Sequence, residues 1–406
     1  MRIVLVAACP FPSPQGSQVF VREMVEHLAA AGHEVHLLTY GQGAAFERPG
    51  IRHHRTGRVP GDGSMRSGPS LAKPFLDLLL FFRLRAVTKR HRIELVHAHN
   101  YEAAVVALAA RALTGVPVVY HSHNLMADEL PHYFSGGRAR RLAAMAGRTL
   151  DRQIPRRADH VVALCDWSSA RLAAAGVEAS RLSVIPPAID DPGLADGPPE
   201  AGLIGYCGNL DAYQNIELLL DAFALLRQAR PGVRLLIVSH HQDAAFAVRV
   251  EEAEGVELRL VRGFAEAHRV TCGCSVLVLP RRAGSGVPIK LLNYLATGRP
   301  VVAAGCGAKL LAGEADALLV ADDDAPAMAR AMARLLEDPD SARRIGAAGR
   351  MRYERVLGWD GALEALSVVY GRATGGRSGS APSTGTAEAG AARLGRGPTG
   401  LGTPNG

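Results

Sequence analysis

Lys290 and Asn293 stand one helical turn apart in the apolar stretch SGVPIKLLNYLATGRPVVAAG, residues 285–305. The stretch predicts a glycine-bearing turn, a helix that begins after Pro288 and ends at Gly298, and a buried strand. A helix N-terminus repels cations, so a lysine there costs about 0.3–1 kcal/mol unless an anion lies beside it. We therefore predict that Lys290 binds an anionic ligand; a lysine that extends to solvent beside an ordinary polar face is the alternative.

A second glycine turn lies near the start of the chain, in CPFPSPQGSQ at residues 9–18. Gly16 and Ser17 begin the first predicted helix, where backbone amides attract an anion and glycine lets a ligand approach the backbone. The segment lacks the GxGxxG spacing of a dinucleotide site. An anion contact and a simple turn are both compatible with it.

Two predicted strands end in histidine-rich tetrapeptides, HAHN at residues 97–100 and HSHN at residues 121–124. Strand alternation places the two histidines of each tetrapeptide on one face. Four histidines could suggest a metal, but acidic residues nearby are limited to Asp128 and Glu129, so we favour hydrogen bonds to a substrate in a cleft. The candidate residues are His97, His99, Asn100, His121, His123 and Asn124.

The surrounding pattern is that of an α/β protein with parallel sheets. Apolar runs such as RIVLVAAC and PVVYHSHN alternate with helical repeats such as QVFVREMVEHLAAAGH, which predicts a doubly wound sheet. The alternation starts again at LIGYC near residue 203. In open parallel sheets, ligands bind beyond the carboxyl ends of the strands, where all three polar groups lie.

Domain boundaries follow from composition. We predict one Rossmann-like domain at 1–190, a hinge rich in Pro, Gly and Asp, and a second Rossmann-like domain at 200–356. Residues 374–406 have almost no large apolar side chains and are predicted to be disordered.

Composition also bounds the partners. Six scattered cysteines without zinc or disulfide spacing predict reduced thiols and a cytoplasmic protein, and no apolar run is long enough to cross a bilayer. The net charge of +7 and the arginine-rich segment at 138–157 favour phosphate ligands or peripheral contact with an anionic membrane. A solvated helix face is the simpler reading of that segment. No nucleic-acid-binding module accompanies the charge.

Taken in order, these segments resemble the GT-B glycosyltransferases, specifically the large retaining family 4, from residue 1 to about 371. LVHAHN and VPVVYHSHN are similar to the family's two histidine strand ends, and SVLVLPRRAGSGVPIKLLNYLATGRPVVA is similar to its donor-binding segment. The resemblance implies two Rossmann-like domains facing a central cleft. It also implies a last helix, at about 359–372, that crosses back to the first domain.

The resemblance further implies transfer of a sugar from a nucleotide-diphosphate donor to a hydroxyl acceptor, with retention, no cofactor and no essential metal. His123 matches the family histidine close to the transferred sugar, the remaining strand-end residues lie on the acceptor side, and the leaving phosphate acts as the base. The implied donor-binding residues are Gly16, Ser17, Asn209, Gln214, Arg281, Arg282, Ser285, Gly286, Lys290 and Asn293.

Four of these positions differ from many family members. Glutamates are common at the positions of Ser285 and Asn293, and an arginine and a lysine at those of Asn209 and Gln214. We expect Lys290 to replace the missing cations at the diphosphate and Asn293 to hydrogen-bond the ribose. The alternatives are a nucleotide-sugar-binding protein that has lost catalysis, or another enzyme on the same scaffold such as an epimerase or phosphorylase.

Overall fold

The computed structural model describes residues 1–12, 16–59, 70, 72–194, 197–211, 214–240, 250, 253–282, 286–305, 307–311, 313 and 315–375. Ser285 and the segment from 376 to 406, which holds nearly all of the predicted tail, lie outside these residues.

The first half of the described chain forms a seven-stranded parallel sheet in the order β3-β2-β1-β4-β5-β6-β7. Its strands are β1 (Arg2–Ala7), β2 (Glu34–Thr39), β3 (Ile51–Arg55), β4 (Leu95–His99), β5 (Val118–Ser122), β6 (His160–Ala163) and β7 (Leu182–Val184). Its helices are α1 (Gly16–Ala30), α2 (Lys73–His91), α3 (Asn100–Thr114), α4 (Met126–Glu129), α5 (Gly137–Gln153) and α6 (Asp166–Ala174).

The second half forms a six-stranded parallel sheet in the order β10-β9-β8-β11-β12-β13. Its strands are β8 (Glu200–Cys207), β9 (Arg234–Ser239), β10 (Val256–Leu260), β11 (Cys274–Leu279), β12 (Val301–Ala304) and β13 (Leu318–Val320). The helices are α7 (Ile216–Ala229), α8 (Phe264–Cys272), α9 (Ile289–Ala296), α10 (Ala325–Glu337) and α11 (Pro339–Val356), followed by α12 (Trp359–Ala373).

The central strands are apolar on both faces because helices cover both faces of each sheet. Ile3, Val4, Leu5 and Val6 of β1 have no exposed surface, and Ile3 and Val4 belong to different core clusters, one on each side of the sheet. These continuous apolar runs therefore supply the burial that holds the strand ends in place.

The last helix returns to the first domain. Leu366, Val369 and Tyr370 of α12 pack with Ile3 and Leu5 of β1 in one core cluster. The residues before α12 belong to the second domain, since Tyr353 and Leu357 pack with β11 and α9. The chain thus crosses between the domains a second time at α12.

The hinge is held from both sides. Glu23 of α1 accepts hydrogen bonds from the Asp190 amide at 2.9 Å and from Trp359 Nε1 at 3.3 Å. From the second domain, Tyr353 donates to the Ile189 carbonyl at 3.1 Å, and Arg350 pairs with Asp191 at 2.5 Å. Helix α1, which begins at the candidate glycine turn, is therefore tied directly to the hinge.

Within the described part of the chain, no helix is both long enough and apolar enough to cross a bilayer. The cysteines of that part are free thiols.

Candidate active site

The two domains meet where the predicted loops lie. A Cβ built on Gly16 would lie 3.2 Å from Ile289 Cγ1, so the start of α1 faces the start of α9. A Cβ on Gly286 would lie 2.1 Å from Asn124 Oδ1, so the turn before α9 rests directly against the HSHN segment. Only glycine fits at 286 without moving Asn124. Segments from three separate parts of the chain therefore converge at one place.

The strand-end histidines form a continuous stack of imidazoles. His97 Nε2 lies 3.2 Å from His121 Nδ1, and His99 Nδ1 lies 3.0 Å from His123 Nε2. The ring centroids of His99 and His121 are 5.1 Å apart and nearly parallel. Tyr370 of α12 closes the inner end, with its hydroxyl 2.8 Å from His97 Nδ1.

Burial keeps this stack neutral. Desolvation lowers the pKa of His97 to about 3 and that of His123 to about 4, and it lowers the pKa of His99 and of His121 well below the ordinary value. A neutral ring has one donor and one acceptor nitrogen, which permits the hydrogen bonds within the His97–His121 and His99–His123 pairs, and the two pairs meet through the stacked rings of His99 and His121.

The burial of the stack argues against the prediction that its inner histidines contact the acceptor. His97 and His121 have no exposed surface, and His99 is 1% exposed. They lie under Phe20 and α12 and not on the wall of the cleft, so direct contact of His97 or His121 with an acceptor does not fit this placement. His123, at 8% exposure, is the ring nearest the surface.

Asn124, which follows His123 in the chain, contacts an acidic side chain. Glu129, at the end of α4, is hydrogen-bonded by the side chain of Asn124 and by Tyr133 Oη at 2.9 Å. Burial raises the pKa of the Glu129 carboxyl. Glu129 is therefore in direct contact with the HSHN segment, although the sequence analysis assigned it no role.

On the facing domain, Lys290 is held by neutral partners. Its Nζ donates to Tyr206 Oη at 2.7 Å and to Gln214 Oε1 at 2.8 Å, and it lies 4.4 Å from the centroid of the Tyr206 ring. The ammonium also approaches Gly208, where a Cβ would lie 2.2 Å from Nζ. The lysine therefore does not extend to solvent.

The two amides at positions 209 and 214 belong to the same network. Gln214 Nε2 donates to Asn209 Oδ1 at 2.6 Å, and Asn209 Nδ2 donates to Asp211 Oδ2 at 2.6 Å. Tyr206 Oη donates to the Asn209 carbonyl at 2.7 Å. A side-chain amide donates through its nitrogen and accepts through its oxygen. Because Gln214 Nε2 donates to Asn209, Gln214 Oε1 is directed toward Lys290.

The two arginines among the predicted donor-binding residues, Arg281 and Arg282, are placed differently. Arg282 is exposed and its Nε donates to Asp323 Oδ1 at 3.0 Å, which with Asn215 lowers the pKa of Asp323. Arg282 is thus directed toward Asp323 and not toward Lys290, whereas Arg281 is half-buried. Of the remaining candidates, Ser17, Asn100 and Asn293 are half-buried at the starts of α1 and α3 and one turn into α9.

His97, His99 and His121 also form a geometric metal candidate, because one ring nitrogen of each lies within 4.8 Å of the others. His99 Nε2 and His121 Nε2 have no hydrogen-bond partner, while the other nitrogens are engaged in the stack. In this arrangement the neutral rings act as hydrogen-bonding groups.

Sequence reasoning missed Tyr206, which is the partner of Lys290, and Glu129. A signal for Tyr206 was present, since it is the last large polar side chain of β8 before Gly208, at a strand end. Taken together, the site offers an oriented cation beside a helix N-terminus on one domain and neutral imidazole and amide groups on the other. That combination suits a ligand with an anionic part and a hydroxyl-rich part.

Comparison with known protein families agrees with this geometry. A model described as Glycosyltransferase Family 4 matches residues 14–191, and a model described as Glycosyl transferases group 1 matches residues 201–338. The chain belongs to the family-4 glycosyltransferases. It is a sugar-transferring enzyme, and the resemblance seen in the sequence is confirmed.

Relatives of this glycosyltransferase span most of its length. It is 26% identical to a D-inositol 3-phosphate glycosyltransferase of Segniliparus rotundus, over 87% of this chain and 84% of the relative. A sucrose-phosphate synthase of Thermosynechococcus elongatus has a TM-score of 0.77 at 21% identity, covering 91% of this chain and 98% of the other. HepE of Anabaena, solved with UDP, has a TM-score of 0.71 at 15% identity, over 91% and 99%. The structural likeness confirms the predicted GT-B fold.

Proposed function

We propose that this enzyme transfers a sugar, with retention of configuration, from a nucleoside-diphosphate donor to a hydroxyl acceptor at the junction of its two domains. The observation that carries the proposal is the contact of Gly16 with Ile289 and of Asn124 with Gly286. These contacts bring the starts of α1 and α9, Lys290 and His123 to one junction, where a diphosphate and its sugar could be bound together.

The donor diphosphate would lie at the start of α9. Its N-cap residue, Pro288, provides no side-chain hydrogen bond to the helix, so the helix dipole favours an anion there. Lys290 supplies a fixed positive charge whose position is set by Tyr206 and Gln214. Asn293, one turn later, would hydrogen-bond the ribose.

His123 would act as a neutral hydrogen-bonding group at the transferred sugar. Its low pKa keeps the ring uncharged, and His99 orients it through the 3.0 Å contact. The base toward the acceptor hydroxyl would be the leaving phosphate. The main demand on the protein is then to stabilise the charge of the departing diphosphate, which oriented donors and Lys290 can do without a metal.

Uridine diphosphate sugars are the first donors to test, since HepE, which shares the fold, was solved with UDP. Inositol phosphates are the first acceptors, since the Segniliparus relative is a D-inositol 3-phosphate glycosyltransferase. Phosphorylated acceptors also fit the net charge of +7.

A panel of UDP-, GDP- and ADP-sugars tests the proposal. Release of the nucleoside diphosphate is measured with and without acceptor, and each reaction is repeated in the presence of EDTA. Turnover of one donor that does not change with EDTA is the expected result. Tight donor binding without turnover under every condition would instead identify a nucleotide-sugar-binding protein that has lost catalysis.

A peripheral membrane contact is supported by the surface of α5. Leu142 and Met145 are 66% and 56% exposed on this helix, and they lie among exposed arginines at 138, 140, 141, 148 and 152. Such a face binds anionic lipid reversibly. Co-sedimentation with vesicles tests it: binding should require anionic lipid and weaken with salt, and equal recovery with neutral vesicles would contradict it.

A further inference from the structure

A second group of histidines lies at the outer edge of the first sheet. His36 comes from β2, His54 from the edge strand β3, and His91 from the end of α2. One ring nitrogen from each lies within 4.8 Å of the other two. These three residues, called the edge cluster below, do not contact the strand-end histidines of the candidate active site in any described hydrogen bond or ring contact.

The contacts inside the edge cluster require that some of its ring nitrogens carry lone pairs. His36 Nδ1 and His54 Nε2 are 2.9 Å apart, and a hydrogen bond between two ring nitrogens requires that one of them is unprotonated. Arg52 Nη1 lies 3.2 Å from His91 Nδ1, and since a guanidinium only donates, His91 Nδ1 must accept. At least two acceptor nitrogens, one in the His36–His54 pair and Nδ1 of His91, thus lie on separate elements within this cluster.

A carboxylate completes the group. Glu34 Oε1 lies 3.3 Å from His36 Nε2 and 3.0 Å from Arg52 Nη1. Arg52 is thus a cation held between the carboxylate of Glu34 and the lone pair of His91. Its side chain is 58% exposed, so it can swing out to solvent at little cost and leave the acceptors to another cation.

We propose that the edge cluster binds one divalent transition-metal ion of the zinc class, through His36, His54 and His91, with Glu34 or water as the fourth ligand. Three imidazoles and a carboxylate suit zinc, cobalt or nickel, whereas magnesium and calcium require oxygen ligands. The buried ring of His36 forms the inner wall, and His54 and His91 are partly exposed, so an ion can enter from solvent.

The ion would have a structural role. It would join β2 and the end of α2 to β3, an edge strand in which no residue is fully buried. An ion that binds only the folded state raises stability in proportion to the logarithm of its concentration. Turnover of sugar donor needs no contribution from it.

The test is zinc titration of the full, tag-free chain by calorimetry and by thermal unfolding, with magnesium as the comparison ion. His54→Gln and His91→Gln remove ligands, and the partly exposed His91 keeps the test valid if His54→Gln folds poorly. His53→Gln is the matched control, because the neighbouring His53 faces away toward Thr39 Oγ1, at 2.9 Å, and the ring of Phe11.

We expect one zinc ion per chain, a rise in melting temperature with zinc but not with magnesium, and unchanged binding in His53→Gln. Each ligand substitution should weaken zinc affinity by more than about tenfold. Arg52→Gln should tighten it, since a competing cation is removed. The proposal is overturned if the wild-type chain binds no zinc, or if both ligand variants bind zinc as tightly as the wild type, which would place the ion elsewhere, for instance at the strand-end histidines.

Discussion

The two sides of the candidate active site use chains of polar side chains for opposite purposes. On the first domain, Tyr370 and the strand-end histidines form a chain of two hydrogen-bonded segments that are joined by the stacked rings of His99 and His121; it runs inward, is almost fully buried and is neutral. On the second domain, Gln214 and Tyr206 hold the half-buried ammonium of Lys290 at the junction. The first chain packs polar rings into the core, whereas the second holds the positive charge of Lys290 at the junction, where a ligand can contact it.

Acid should break the first chain and spare the second. The folded-state pKa is about 3 for His97 and about 4 for His123, below the ordinary 6.5, so the unfolded chain binds more protons as pH falls. Stability is therefore full above pH 6.5 and is lost as pH falls toward 4. Each ring contributes up to about 1.4 kcal/mol per pH unit, so these two alone should remove about 4 kcal/mol between pH 6.5 and 4.5.

Denaturant unfolding at several pH values measures this loss. His97→Asn should lower the free energy of unfolding at neutral pH, and it should reduce the pH dependence of that free energy in acid by about one proton. Lys290→Ala should leave the pH dependence unchanged. A free energy of unfolding that stays constant from pH 6.5 to 4.5 would contradict the neutral stack.

We propose that His123, the ring of the stack nearest the surface, contacts the substrate. Replacing it with alanine should lower kcat by roughly tenfold to a thousandfold, the range expected for a lost transition-state contact, and should cost about 1–3 kcal/mol in stability because His99 loses its hydrogen-bond partner. Steady-state kinetics and a melting curve measure the two effects. His121→Asn, one ring deeper, is the comparison and should mainly lower the melting temperature. If His123→Ala unfolds while turnover per folded molecule is kept, His123 is a core residue.

The sequence predicted which residues come together at the site better than it predicted how deeply they are buried. Continuous apolar runs identified β1 and β5, and the carboxyl ends of strands located both polar groups. The edge strand β3, IRHHR, was missed because alternating arginine and histidine carry no apolar run. The burial of His97 was missed because its cover, Tyr370, comes 273 residues later in the chain, and no local pattern reports that contact.

Lys290 should separate binding of the phosphate from binding of the nucleoside. Lys290→Ala should weaken UDP binding by about 1.5–3 kcal/mol, the scale of a charge-assisted hydrogen bond, and barely change uridine binding. Calorimetry with the two ligands measures the difference. Equal losses for both ligands would mean that the lysine supports the pocket generally, and no loss would mean that the diphosphate binds elsewhere.

The smallest effect should come from Gln214, and it tests whether the second chain acts through the lysine. Gln214→Met keeps the length of the buried side chain and removes the amide that accepts from Lys290 Nζ and donates to Asn209. The ammonium keeps Tyr206 but loses one of its orienting partners, so UDP binding should weaken by about 0.5–1.5 kcal/mol, the range of a neutral hydrogen bond. In the Lys290→Ala background the same change should cost almost nothing, because the group that Gln214 orients is gone. A double-mutant cycle on UDP affinity measures this coupling. Additive losses would mean that Gln214 contacts the donor itself, and the amide at this position would then replace the cation of other family members directly and not through Lys290.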